Sequence, residues 1–487
     1  MPVHLPALRR GKPYSSLDQI DIKNCRTGEV LARLSLVNAV IIRKDLARIR
    51  EARAALAKFS CDQLVAICAR TADLFLNATL PLGDQGQTQS PSQYVESLSA
   101  TSGLPFVLVR RNMDKIAHSL TNMGMVLNGL TRGLDLRLFD TGFGEQAGAR
   151  LCFYPTTPAL GLVMPSNSPA VNSLWLPAIP LKIPVILKPG RDEPWTPYRL
   201  IQAFVAAGCP AEAFGFYPTD HEGAAEILRS CGRAFVFGDQ STTAQYAHQP
   251  AIQVHGPGYS KILIGEDLIG RWPEFIEVMA ASISANCGRS CINASTVVVP
   301  KYGPEIAEAL AARLAPMAPL PAGDESAKLS AFANPAMADG IDAQIEDGLR
   351  TPGATDTTAK YRGGPRKVVF EGGVYLRPTI VLCDSFAHPL ANREFLCPYA
   401  SVVEVPQLKM LEVIGPSLVV TAITQDPVFR EALLQSPLID RLNLGPIPTL
   451  KVSWDQPHEG NLFEFLYRRR ALEISELPPA SKNGTTP

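Results

Sequence analysis

Between residues 160 and 240, short apolar strands alternate with helices, and this rhythm constrains the fold more than any other feature of the sequence. The strand-like segments are Gly161–Met164, Pro184–Leu187, Ala213–Phe216 and Ala234–Phe237, and the helical stretches are Trp195–Ala207 and His221–Ser230. This alternation predicts an α/β protein whose parallel sheet is joined by crossover helices, the usual support for a dinucleotide. A second α/β region is predicted from Lys261 to about residue 450, and its Pro- and Gly-rich middle, residues 316–364, is predicted to be an exposed loop.

The N-terminal third has a different pattern. Apolar residues recur at helical spacing over residues 44–80 and 105–130, and the polar interval 83–92 between them predicts a loop. Two β-like segments follow, Leu134–Phe139 and Ala149–Tyr154, separated by a turn-rich run at residues 141–144. We predict that they form a hairpin that leaves the main body.

Composition excludes several classes of protein. The chain has 487 residues, which predicts two or three domains, and its 46 basic residues balance 46 acidic ones. A net charge of zero provides no broad field for nucleic acid or an anionic membrane, and neither a signal sequence nor an apolar run of membrane-spanning length is present. The 10 cysteines lack metal-ligand spacing. We therefore expect reduced thiols, no metal site and a cytoplasmic location.

The segment 286–291, Asn-Cys-Gly-Arg-Ser-Cys, places two thiols between a helical run and the strand-like Thr296–Val299. A thiol in such a loop is accessible and can be tuned by backbone donors, although an isolated cysteine is usually buried and inert. The pattern Asn-x-Gly-x-x-Cys resembles the nucleophile motif of the aldehyde dehydrogenase superfamily. That resemblance makes Cys291, not Cys287, the attacking residue, with Arg289 where the family usually has Gln.

Residues 164–169, Met-Pro-Ser-Asn-Ser-Pro, resemble the family's Pro-Trp-Asn-Phe-Pro motif. The resemblance implies that the Asn167 amide and the backbone N–H of the nucleophile stabilise the oxyanion, and it places Pro165 beside the cofactor. A neutral amide aimed at developing negative charge suits this role electrostatically.

Further motifs resemble the family's cofactor-binding segments in the order that the family requires. They are Val-Ile-Leu-Lys-Pro at 185–189, Phe-Gly-Asp-Gln-Ser-Thr at 237–242 and Arg-Glu-Phe-Leu-Cys-Pro at 393–398. The resemblance implies contacts of Lys188 with the adenine ribose, of Gly238 and Ser241 with the pyrophosphate, and of Glu394 with the nicotinamide ribose. Arg191 could accept the 2′-phosphate of NADP, whereas its acidic neighbours would favour NAD, so NAD and NADP both stay open.

One departure from the family bears on the reaction. The family's Glu-Leu-Gly-Gly-Lys motif supplies a base that activates water against the acyl-enzyme, but here the aligned residue is Val254, in Val-His-Gly-Pro-Gly. Valine cannot take a proton. The Gly-Pro-Gly turn resembles the CoA-linked branch, which implies interconversion of an aldehyde and an acyl-CoA, with CoA as co-substrate resolving the Cys291 thioester.

Three alternatives remain. His255 is a candidate base because its ordinary pKa suits neutral pH, so an aldehyde dehydrogenase that releases a free carboxylic acid is the second reading. The third reading is an enzyme that reduces an acyl phosphate. The fourth is a non-catalytic scaffold that has kept the fold.

The resemblance implies an aldehyde-dehydrogenase-like architecture with three parts. A parallel-sheet dinucleotide-binding domain takes residues 1–130 and 155–255, and an α/β catalytic domain takes residues 256–450. A small β oligomerisation element and tail takes residues 131–154 and 461–487, from which we expect a homodimer or homotetramer.

Overall fold

The computed structural model describes residues 2–475. Within that range the chain forms 24 β-strands, which are, in chain order, β1 (Val3–Leu5), β2 (Ala7–Arg9), β3 (Lys12–Tyr14), β4 (Gln19–Lys23), β5 (Val30–Ser35), β6 (Leu80–Leu82), β7 (Gln87–Gln89), β8 (Phe143–Gln146), β9 (Ala149–Pro155), β10 (Ala159–Val163), β11 (Val185–Lys188), β12 (Phe214–Phe216), β13 (Gly232–Phe237), β14 (Ile252–His255), β15 (Lys261–Ile264), β16 (Thr296–Val299), β17 (Ala354–Asp356), β18 (Lys367–Phe370), β19 (Gly373–Leu376), β20 (Thr379–Cys383), β21 (Tyr399–Glu404), β22 (Ser417–Ile423), β23 (Ile439–Leu444) and β24 (Tyr467–Arg470).

The same range holds 17 α-helices, which are α1 (Ala39–Leu46), α2 (Ile49–Leu56), α3 (Cys61–Asn77), α4 (Pro91–Ser102), α5 (Phe106–Thr121), α6 (Met123–Thr131), α7 (Leu138–Thr141), α8 (Trp195–Ala206), α9 (His221–Ser230), α10 (Gln240–Thr243), α11 (Ile276–Ser284), α12 (Gly303–Leu314), α13 (Pro335–Arg350), α14 (Ala359–Arg362), α15 (Gln407–Val413), α16 (Pro427–Gln435) and α17 (Leu462–Leu466). None of the helices in residues 2–475 combines the length and apolarity that crossing a bilayer requires.

Two seven-stranded sheets organise the molecule. The first has the order β14-β13-β10-β11-β12-β2-β3, and its strands from β14 to β12 are parallel, as the alternating pattern predicts. The second has the order β17-β20-β21-β16-β15-β22-β23 and is parallel from β20 to β23. The predicted α/β fold is confirmed, and the chain passes from the first sheet to the second through residues 256–260.

Apolar strands explain why both sheets are buried. Every residue of β15, β16 and β22 is buried, which is typical of parallel strands covered on both faces. Helices α3, α5 and α8 cover one face of the first sheet, and their apolar residues join its strands in the largest core cluster. The rigid sheets therefore hold the loops at their strand ends in fixed positions.

The hairpin is present, but the prediction of its first strand is wrong. Leu134–Phe139 forms a turn and the start of α7, and the strand begins instead at Phe143, within the run predicted as a turn. Gly142, with φ of 84°, ends α7 in the left-handed conformation and lets the chain reverse into β8. β8 pairs with β9, which pairs with β24, so this small sheet joins the hairpin to the C-terminal segment. The tail beyond residue 475 lies outside the described residues.

Two predicted loops contain regular structure. Residues 83–92 include β7 and the start of α4, a helix that begins at Pro91 behind a reciprocal capping pair, Ser90 and Gln93. Residues 316–364 contain α13, β17 and α14, because Asn334 caps α13 and Ile341 and Ile345 supply its buried face. In both segments a proline, Pro91 or Pro335, stands at the first position of a helix, to which its fixed backbone angle is well suited.

Candidate active site

The loops at the carboxyl ends of the first sheet's parallel strands open onto a cavity of about 700 Å³. Pro165 follows β10, Gly238 follows β13, and His255 ends β14; all three line the cavity. Asn167, Cys291 and Glu394 line it as well. This is the edge at which open α/β sheets bind their ligands.

An unusual turn delivers Cys291 to the cavity. After α11, Asn286, Cys287 and Gly288 all have positive φ, at 52°, 60° and 65°. Side chains hold this strained backbone, since Asn112 Nδ2 donates to Asn286 Oδ1 at 2.9 Å and Asn286 Nδ2 donates to Ser290 Oγ at 3.0 Å. Gly288 is required because a Cβ atom there would lie 2.5 Å from the backbone of residues 397–398.

The two thiols of this turn differ in their surroundings. Cys287 is 2% exposed within the main core, and burial raises its pKa to about 12. Cys291 lines the cavity, four residues further on. Of the two, Cys291 alone is therefore placed to meet a substrate.

Glu459 joins the Cys291 thiol to His255. The Cys291 thiol donates to Glu459 Oε1 at 3.2 Å, and Glu459 Oε2 accepts a hydrogen bond from His255 Nδ1. The side chains of His255 and Glu459 are 3% and 9% exposed, respectively. The sequence analysis singled out His255 but not Glu459, which lies 168 residues after the thiol.

The two glutamates of the cavity, Glu459 and Glu394, have pKa values shifted in opposite directions. Burial alone would raise the pKa of Glu459, but the charge and hydrogen bond of His255 outweigh burial and lower it to about 2. Burial raises the pKa of Glu394 to about 8, although the backbone N–H of Tyr259 donates to its Oε2 at 2.8 Å. Burial, reinforced by both carboxylates, raises the pKa of Cys291 well above its ordinary value. The resting site therefore holds a thiol hydrogen-bonded to an ionised Glu459.

Val254 and His255 lie on opposite faces of β14, because side chains alternate along a strand. Val254 packs in an apolar cluster with Val236 and Ile252, away from the cavity. The His255 ring stacks on Phe237 with centroids 4.3 Å apart. The family's base is thus absent from position 254, and the carboxylate near the thiol comes from a different element.

Residues 450–460, here called the closing segment, bring Glu459 into place. Arg441, in β23, donates to the Lys451 carbonyl at 2.6 Å, and Trp454 stacks on His118 of α5 with centroids 5.9 Å apart. Gln253 of β14 donates to the backbone carbonyl of Glu459. The closing segment is therefore attached to both large sheets and to α5.

Asn167 lies against the loop that carries Arg289 and Cys291. Its Nδ2 donates to the Arg289 carbonyl at 2.9 Å, while its buried Oδ1 has no partner within the described residues. Arg289, at the family's Gln position, is buried and donates to the Ser102 carbonyl and to Ser330 Oγ. The arginine thus ties the loop to α4, and the role of Asn167 as oxyanion donor stays a prediction.

The predicted cofactor residues divide into two groups. Pro165, Gly238 and Glu394 line the cavity, whereas Lys188, Arg191 and Ser241 do not. Lys188 ends β11, where burial lowers its pKa and the charge of Asp192 opposes this effect. The Ser241 hydroxyl donates to Asp239, which caps α10. No group of three or more His, Cys, Asp or Glu side chains placed to hold a metal ion occurs in the described part of the chain.

Comparison with known proteins assigns the architecture. The model of the aldehyde dehydrogenase family matches residues 13–412. The chain belongs to the aldehyde dehydrogenase family. No curated protein sequence is significantly similar to this aldehyde dehydrogenase homologue.

Solved structures share its fold at low sequence identity. An NAD-dependent aldehyde dehydrogenase from Sinorhizobium meliloti has a TM-score of 0.79 and 16% identity, covering 99% of this chain and 97% of that one. Gamma-glutamyl-gamma-aminobutyraldehyde dehydrogenase from Burkholderia cenocepacia J2315 has a TM-score of 0.78 and 18% identity, covering 96% of each chain. An NAD⁺ complex of an aldehyde dehydrogenase from Bacillus cereus has a TM-score of 0.76 and 15% identity, covering 97% of each.

Proposed function

We propose that this protein oxidises an aldehyde with NAD(P)⁺ through a covalent intermediate on Cys291 and releases a free carboxylic acid. The observation that carries the proposal is the position of the Cys291 thiol, which lines the cavity at the strand ends and contacts an ionised carboxylate at 3.2 Å. Membership of the aldehyde dehydrogenase family supports the substrate class.

The cavity suits a nicotinamide dinucleotide. It has about 700 Å³ at the carboxyl ends of a parallel sheet, and Pro165, Gly238 and Glu394 line it. When bound, NAD(P)⁺ supplies a hydride acceptor. The NAD⁺ complex of the Bacillus cereus fold relative supports a dinucleotide as the ligand. Lys188 and Arg191, at and just after the end of β11, would hold its adenosine side.

Residues of the chain account for the other steps of the reaction. The Cys291 sulfur bonds to the aldehyde carbon while the thiol proton is released to solvent, which leaves a thiohemiacetal with negative charge on the former carbonyl oxygen. Asn167 and the Cys291 backbone N–H stabilise the charge on that oxygen. Loss of hydride leaves a thioester on Cys291, and water then cleaves the C–S bond to give the acid.

A second candidate acceptor is CoA, as the substitution of Val254 for the family's base suggests. The argument for CoA depended on the absence of any base, and Glu459 provides a carboxylate beside the thiol. Water is therefore the better-supported acceptor.

Product analysis separates the two acceptors. A panel of aldehydes is incubated with oxidised cofactor, with and without CoA, while reduced nicotinamide is followed by absorbance and the products by mass spectrometry. We expect steady turnover to free acid without CoA. Turnover that requires CoA and yields acyl-CoA would establish the second candidate, and no cofactor reduction with any aldehyde would refute both.

A further inference from the structure

We propose that Glu459 is the general base that activates water against the Cys291 thioester, and that His255 is a positioning residue that holds the Glu459 carboxylate. This inference rests on the proposed function, since it assigns residues to the hydrolytic step. It depends on two contacts, from Glu459 Oε1 to the Cys291 sulfur and from Glu459 Oε2 to His255 Nδ1.

Acylation of Cys291 changes the hydrogen bonding of Glu459. In the resting enzyme, Oε1 of Glu459 accepts the thiol hydrogen across 3.2 Å. The thioester sulfur has no hydrogen, so acylation frees the Oε1 lone pair beside the bond that must be broken. A water molecule that donates to Oε1 is then adjacent to the thioester carbon. Acylation itself thus converts a hydrogen-bonded carboxylate into an available base.

The step balances in atoms and electrons. The water oxygen bonds to the thioester carbon as one water proton moves to Glu459 Oε1. The resulting tetrahedral intermediate collapses, the C–S bond breaks, and its electron pair remains on the Cys291 sulfur. The proton on Glu459 then returns to that sulfur, which restores the resting thiol. The net change is hydrolysis of a thioester to an acid and a thiol.

Two glutamates of the cavity, Glu394 and Glu459, are candidates for the role, and their surroundings favour Glu459. A base must be ionised before it can accept a proton. Glu394 has one oxygen fixed by the Tyr259 N–H, and burial favours its protonated form. Glu459 is kept ionised by His255, and it contacts the reacting sulfur directly. We therefore assign the step to Glu459.

The surroundings of His255 suit it to hold the Glu459 carboxylate in place rather than to act as the base. Phe237 stacks on its ring and Phe235 packs edge-on, with centroids 4.3 and 4.8 Å away. Its Nε2 is buried and has no partner within residues 2–475. Because only Nδ1 is engaged, one N–H at that position is sufficient to orient Glu459. Asn places an amide N–H at nearly the same point as His Nδ1.

The test compares cofactor reduction in the first turnover with steady-state turnover. For Glu459→Gln we expect a burst of about one reduced cofactor per Cys291, followed by a steady rate at least roughly a hundredfold below that of the unmodified enzyme. Hydroxylamine, which cleaves thioesters without a base, should restore turnover and give the hydroxamate. Asp455→Asn, an exposed carboxylate of the same segment outside the cavity, is the matched control and should behave as the unmodified enzyme.

His255 is tested by a pair of variants. We expect His255→Asn to keep part of the steady rate, because it keeps the hydrogen bond to Glu459 but loses the charge that lowers the Glu459 pKa. His255→Phe, which loses both, should show the burst without steady turnover. Equal losses in burst and steady rate for Glu459→Gln, or no loss in either, would overturn the assignment of the base. Equal behaviour of the two His255 variants would overturn the positioning role. Absence of cofactor reduction by the unmodified enzyme with every aldehyde would refute the proposed function itself.

Discussion

The strand-end loops of the first sheet and the closing segment contribute to one cavity in different ways. The loops after β10, β11 and β13 carry short local motifs, and each is positioned by the strand that precedes it. The closing segment has no regular structure and is held in place by contacts with distant elements, such as the Trp454–His118 stack. The proposed binding groups can thus be predicted from local sequence, whereas the position of Glu459 beside the Cys291 thiol depends on tertiary contacts.

Loss of the nucleophile should have the largest effect, because both regions serve the same thiol. Cys291→Ala should abolish turnover and leave dinucleotide binding nearly intact, since the thiol contributes to chemistry rather than to cofactor affinity. Cys287→Ala, in the same turn but buried in the core, should retain substantial activity. Turnover assays and a binding titration check both. The reverse pattern would show that the motif is misaligned by one cysteine.

Asn167→Ala tests the contribution of the loop after β10. We expect the rate of acyl transfer to fall roughly a hundredfold, because one oxyanion donor is lost. The melting temperature should change little, since the Asn167 side chain makes one hydrogen bond to the Arg289 carbonyl. Stopped-flow measurement of cofactor reduction gives the rate. Full activity in this variant would remove Asn167 from the chemistry.

Gly129→Ala tests the closing segment without altering any cavity residue. Gly129 lies in α6, and a Cβ atom there would come within 2.2 Å of the Asp455 carbonyl oxygen, so the segment must shift. We expect steady turnover to fall roughly tenfold to a hundredfold, since small displacements of reacting groups are costly. Cofactor affinity should not change.

Gly124→Ala, in the same helix, is the control, because nothing lies within 4 Å of its added Cβ. It should keep full activity and gain about 0.5–1 kcal/mol in free energy of unfolding, since Ala replaces Gly within a helix. Equal activity of the two glycine variants would contradict the idea that α6 positions Glu459.

Lys188→Ala should have the smallest effect on catalysis. We expect the dissociation constant for NAD(P)⁺ to rise about tenfold, which corresponds to about 1.4 kcal/mol, with kcat nearly unchanged. Lys301→Ala, an exposed lysine just after β16, is the control. Fluorescence titration measures both. Unchanged affinity in Lys188→Ala would remove this strand end from the cofactor site.

The residues that sequence reasoning identified share a physical property. Pro165, Gly238 and Cys291 each follow a strand or helix whose apolar pattern is readable, so their placement at one edge followed from the parallel sheet. Glu459 had no such signal, because a carboxylate in an irregular segment resembles any exposed acid. Only the contacts of Glu459 with Gln253 and His255 show where its side chain lies.

The errors in the fold had a similar cause. Leu134–Phe139 has strand-like composition, yet packing of Phe139 against Phe463 and Tyr467 places it in a turn and a short helix. The polar composition of residues 83–92 and the Pro and Gly residues of 316–364 suggested loops. Both segments nevertheless begin a capped helix, with Pro91 or Pro335 at its first position. Long-range contacts determine the structure of Leu134–Phe139, and helix capping determines where α4 and α13 begin.

The fate of the acyl group on Cys291 distinguishes water from CoA as its acceptor. The unmodified enzyme is mixed with an aldehyde and oxidised cofactor in the absence of CoA, and the intact protein and the products are followed by mass spectrometry. We predict transient acylation of the Cys291 peptide and continuous release of free acid over many turnovers. An acyl group that stays on Cys291 until CoA is added, and then leaves as acyl-CoA, would contradict the account.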